Sequence, residues 1–123
     1  MESIRTKEEA KEFAECVANE ELYDWVIETM TERLRSAGME YVGHTCMRDA
    51  ASHICQCLRS LVKDAFGIMG AGHFIRSVIK NDLGEAVVYA DGINLKNLDI
   101  YVTFMFNYMP NPEYLKKLRN KGG

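Results

Sequence analysis

Residues 95–109 read LKNLDIYVTFMFNYM, and the period of their apolar side chains decides the fold class. At a period of two, Ile100, Val102, Phe104 and Phe106 share one face against Thr103, Met105 and Asn107, which is a strand pattern. At a period of 3.6, Leu98, Tyr101, Val102, Met105 and Met109 form one line that runs up to Pro110. A strand needs partners, and Val87-Val88-Tyr89 is the only other segment suited to pairing; a two-stranded ribbon is marginal in water. The stretch therefore reads as a helix. The chain reads as all-α, a small single-domain bundle of five to seven helices opening with an αα-hairpin.

Working outward, polar residues stand where helices must begin. Thr6-Lys7-Glu8-Glu9 is a capping-box pattern, followed by Ala10, Phe13, Ala14, Val17 and Ala18 on one helical face. Asn19 ends that helix and suits the N-cap of the next, whose apolar line is Leu22, Trp25, Val26, Met30 and Leu34, closed at Gly38. After a short connection around Gly43, a third helix is expected from about Thr45 to Phe66, with the hairpin packed on it. Ala51, Ile54, Cys55, Leu58, Leu61, Val62, Ala65 and Phe66 form its stripe. Gly67, Gly70 and Gly72 mark a turn. Phe74, Ile75, Val78 and Ile79 make a short helix ending at Asn81, and Asp82-Leu83-Gly84-Glu85 has the spacing of another capping box. Asp91 and Asn94 are candidate caps for the next helix. The chain divides into an N-terminal helical part (1–66), a helical module (70–110) and a tail (111–123).

Composition bounds the class. The chain has 123 residues, 47% hydrophobic and 27% charged, with a net charge of -3. These values fit a globular domain and disfavour disorder. No apolar run approaches the ~20 residues of a membrane span, and no signal-peptide pattern opens the chain. Cys16, Cys46, Cys55 and Cys57 read as reduced thiols, so the expected location is the cytoplasm. Charge is uneven: residues 1–40 balance at -6 and residues 41–123 at +3.

The run Gly72-His73-Phe74-Ile75-Arg76-Ser77-Val78-Ile79-Lys80-Asn81-Asp82-Leu83 continues through Ala86, Ala90-Asp91, Asn94, Leu98, Val102 and Met109-Pro110. It resembles a group of small phage and prophage proteins carrying a G-x-F-x-x-A-V-L-x-N-D-L run. In that group an alanine–aspartate pair, an asparagine three positions on and an aromatic helix ending at proline come after the run. The resemblance covers about residues 70–110 and departs at Ser77, where the group has alanine. It implies helical structure and a mobile-element origin, and no particular reaction.

Several constellations bear on chemistry. His53 and Cys57 are four apart, and Cys46 lies seven before His53, so the three can share a helix face with His44 or His73 as a fourth zinc ligand. The paired Cys-x-x-Cys knuckles of zinc modules are missing, and packing thiols explain the residues more simply. Cys57 with His53, or Cys46 with His73, is the corresponding thiol–imidazole pair. Gly67 to Gly72 matches neither phosphate-loop pattern, although free N–H groups near His73 and Arg76 suit an anion. Asn81, Asp82, Asp91 and Asn94 explain themselves as caps. No catalytic, cofactor or metal residue is assigned.

The expected function is binding by a non-enzymatic phage or prophage accessory protein, inhibiting a host or defence factor. Its acidic hairpin residues Glu20, Glu21, Asp24, Glu28 and Glu32 would face a basic, nucleic-acid-binding surface. Phe104, Phe106, Tyr108 and Tyr114 leave aromatic surface for a protein partner or a second copy. The alternative is a nucleic-acid-binding regulator using Arg76, Lys80, Lys116, Lys117, Arg119 and the rest of a solvated basic tail. A metal or thiol enzyme ranks third.

Overall fold

The computed structural model describes residues 1–36 and 44–121, with side chains described for these except 34–36, 44–46 and 118–121. Every regular element among the described residues is helical: α1 (Lys7–Glu15), α2 (Glu20–Ser36), α3 (His44–Ala65), α4 (His73–Ile79), α5 (Leu83–Tyr89), α6 (Gly92–Lys96), α7 (Leu98–Tyr108) and α8 (Pro112–Lys121). The all-α reading holds, with one helix more than expected. Among the described residues no helix is long and apolar enough to cross a membrane.

The caps are local chemistry. The Glu9 N–H donates to Thr6 Oγ1 and the Thr6 N–H donates to Glu9 Oε1, both at 3.1 Å, closing the capping box of α1. Asn19 Oδ1 accepts from the Leu22 N–H at 3.0 Å and starts α2. Because α2 begins there, α1 stops at Glu15, and Val17 and Ala18 drop out of its expected stripe; Val17 is 79% exposed. Asp82 accepts from the Glu85 N–H, but the Glu85 carboxylate turns to the Ser77 hydroxyl instead of completing a box. Asn81 sits at φ 59°, a left-handed position that asparagine tolerates. The Gly38 cap and the Gly43 connection fall outside the described residues.

The hairpin of α1 and α2 lies on α3 as expected, and α3 also packs against α4, α6 and α8. One apolar cluster runs from Ile4 to Leu115 and has Leu58, Leu61, Phe66 and Tyr101 at its centre. Asn111 Oδ1 accepts from the Tyr114 N–H at 2.9 Å, Pro112 takes the first helical position, and Leu115 is buried.

The extra helix arises at Asn97, which divides α6 from α7. Its φ and ψ of -122° and 23° leave the helical region, and its amide donates to Ile93 O at 2.8 Å. Arg33 of α2 grips the break. Its Nη2 donates to Asn97 Oδ1 and its Nη1 to Asp99 Oδ1, each at 2.6 Å, with Lys96 O at 3.2 Å. A cation on the last carbonyls of α6 and a carboxylate in the first turn of α7 both suit the helix dipoles. Asn94, expected as a cap, lies buried inside α6 instead.

Candidate functional site

The His/Cys constellation assembles in part. His53 and Cys57, one turn apart on α3, meet with Sγ 3.7 Å from Nε2. Asp91, the N-cap of α6, accepts the Asn94 N–H on Oδ1 at 2.7 Å, and its Oδ2 lies 2.8 Å from His53 Nε2. Asn94 Nδ2 reaches Cys57 Sγ at 3.7 Å, and the buried Tyr101 hydroxyl donates to Asn94 Oδ1. The chain of contacts stitches α3, α6 and α7 together.

Cys57, His53 and Asp91 are the residue types of a thiol hydrolase, but their arrangement differs. A relay needs one ring nitrogen free for the thiol proton while the other N–H is held by the carboxylate. Here the carboxylate and the sulfur both approach Nε2. If Nε2 donates to Asp91, it cannot take the proton of Cys57. Burial also raises the Cys57 thiol above its ordinary range and keeps the Tyr101 phenol protonated. Cys55 points elsewhere, into a groove shared with Cys16 and Arg59, and burial pushes it up from 9.0 to about 11. His73, the other candidate, stacks on Tyr89 with ring centroids 4.8 Å apart. Among the described residues no group of three His, Cys, Asp or Glu side chains is arranged to hold a metal ion. The side chains of His44 and Cys46 lie outside those described.

The thiols should therefore differ in reactivity. In a C46S variant titrated with a disulfide reagent near neutral pH, exposed Cys16 is expected to react first. Cys55 and Cys57 should both lag, because burial raises each thiol and leaves less of the reactive thiolate. Rapid modification of Cys57 in folded protein would restore it as a nucleophile.

Asp64 of α3 accepts the Ala71 N–H at 2.8 Å and lies 3.6 Å from Arg76 Nε, so the protein's own carboxylate meets the inward-facing loop N–H. Arg76 is thereby committed to structure. Gly67 adopts φ 74°, the conformation for which glycine suits the turn. The helix that follows α4, α5, carries Glu85 and no basic residue to add to Arg76 and Lys80.

Glu20, Glu21, Asp24, Glu28 and Glu32 are all exposed. At about 100° per residue they share an arc of roughly 120°. That arc is opposite the buried Leu22, Val26 and Met30. Lys80, Lys116 and Lys117 are exposed too, and the side chain of Arg119 is outside those described.

The most exposed large apolar side chain among the described residues is on α7. Ile100, Tyr101 and Phe104 are fully buried, whereas Val102 is 42% and Phe106 84% exposed. The expected stripe of Leu98, Tyr101, Val102, Met105 and Met109 thus had the right period on a shifted face. Because α7 is apolar nearly all round, its period cannot say which face meets the core. The outward face, Val102, Met105, Phe106 and Met109, lines one side of a groove of about 320 Å³, with Val78 and Ile79 of α4 opposite. Asn81 and Asn111 lie at its margin. Comparison of the chain with protein-family models, curated proteins and solved structures found no match.

Proposed function

We propose that the chain is a non-enzymatic binding module that receives a protein partner in the groove between α4 and α7, an accessory role that suits the mobile-element origin its phage-like run implies, with a host or defence protein as the target. The observation that carries the reading is Phe106. A phenylalanine 84% exposed beside an apolar groove costs solubility, and covering it would stabilise a complex by roughly 1.5–3 kcal/mol. Leu83 and Val88 on α5, at 67% and 75% exposure, add apolar surface of the same kind. The nucleic-acid alternative is less well served, since α5 brings no cation and Arg76 is held by Asp64.

The test is capture from a bacterial lysate by wild-type protein, F106D, and the double variant E21K/E28K, followed by mass spectrometry. A partner retained by wild type and lost on F106D, with an unchanged circular dichroism spectrum, is the expected result. Loss on E21K/E28K as well would add the acidic arc of α2 to the contact. Identical capture by wild type and F106D, or recovery of chaperones alone, would sink the reading.

A further inference from the structure

We infer that the groove beside Phe106 receives an amphipathic helix with an acidic flank, an assignment that rests on the protein-binding reading above and specifies the partner's chemistry. The walls decide the backbone of the guest. Its long walls are α4 and α7, whose mid-helix N–H and C=O groups are paired internally, and Pro110 and Pro112 at one end have no N–H to offer, so the groove has no ladder for an extended segment. A strand laid there would bury its own peptide groups without partners, at a cost of several kcal/mol each in an apolar setting. A helix brings its backbone satisfied and needs only apolar side chains at i, i+3 or i+4, and i+7. Met105 and Met109 suit that guest, since unbranched, polarisable side chains adapt to a helix surface.

The charges decide the flank. Ile79, Met105 and Pro112 also border an adjoining hollow of about 520 Å³, which Lys80 at the C-terminal end of α4 and Lys116 of α8 both line. No carboxylate lines either part. Both lysines are exposed, and neither holds an ion pair among the described residues. An apolar trough flanked by two unneutralised cations complements a helix with apolar residues on one face and Asp or Glu beside it. A second copy fits less well. The acidic arc of its α2 has Leu22, Val26 and Met30 already buried in its own core, and its α5, with Leu83 and Val88 exposed beside Glu85, has only seven residues and cannot present apolar positions from i to i+7.

The experiment selects displayed random peptides of about 18 residues, five helical turns, on wild-type protein, with counter-selection on F106D and F106S. The two variants guard against misfolding of either one, checked by circular dichroism. Expected winners are net acidic, carry apolar residues at helical spacing, and become helical on binding. A winner should bind K80E/K116E at least about tenfold more weakly, and so should its Glu→Lys counterpart on wild type. Winners that need Phe106 but are basic, or proline-rich and extended, overturn the acidic-helix assignment and leave protein binding standing. Failure to select any peptide that distinguishes wild type from both variants overturns both. A dimer in sedimentation that F106D and F106S abolish gives the groove to a second copy and overturns the assignment as well.

Discussion

Replacing Phe104 by alanine is expected to lower the unfolding free energy by about 3–5 kcal/mol, the usual cost of emptying a buried aromatic site. Phe104 is fully buried where three helices meet. Its ring centroid lies 5.7 Å from Phe13 of α1, 5.7 Å from Trp25 of α2 and 5.5 Å from Tyr108 of its own helix. Trp25 in turn stands edge-on to Tyr108 at 5.4 Å. The cavity left by F104A cannot close without moving α1 and α2 together. Against a typical total of 5–15 kcal/mol, that loss is a large share of the stability. Urea denaturation followed by the fluorescence of Trp25, the single tryptophan, reads both the midpoint and the local packing. The paired control is F106A on the same helix, expected within about 0.5 kcal/mol of wild type because the side chain it removes is exposed. Equal losses for the two variants would show that α7 does not present the faces described.

The second large effect is expected at Asp64. Its carboxylate is 1% exposed, accepts the Ala71 N–H, and stands against the Arg76 guanidinium. Asp64→Ala strands a loop N–H and takes the buried partner from a cation, which together should cost about 2–4 kcal/mol. The cost is discounted from a fully buried pair because Arg76 is half exposed. Asp64→Asn keeps an oxygen for the Ala71 N–H and should lose less than half as much. Hydrogen exchange at Ala71 distinguishes the two: fast in the alanine variant, protected in the asparagine one. If alanine costs under about 1 kcal/mol, the turn is not anchored by this carboxylate.

The two aromatic positions also show how far the chain can be read in advance. As a strand, Phe104 and Phe106 would share a face; as a helix they stand roughly 200° apart. Choosing the helix was within reach, because no partner strand existed. Choosing the face was not, because apolar residues surround α7 and both lines satisfy the same period. The pair His53 and Cys57 was legible from its four-residue spacing. Their contact with Asp91, 38 residues away, was not. Asp91 stood out only as a cap, and it performs that role with one oxygen while the other holds the imidazole.

By itself the sequence determined that the molecule is helical and where most helices begin. Thr6, Asn19, Asp82, Asp91 and Asn111 each satisfy the backbone N–H three residues ahead, a contact that needs nothing beyond the next turn. Tertiary structure alone decided that α6 and α7 are separate helices, that Phe104 is core and Phe106 surface, and that Arg76 answers Asp64. Each of those depends on a side chain or a packing surface from another helix, as when Arg33 reaches across more than sixty residues to hold Asn97. Local hydrogen bonds are written in consecutive residues, whereas the choice between two equally apolar faces is made only when another surface arrives to cover one of them.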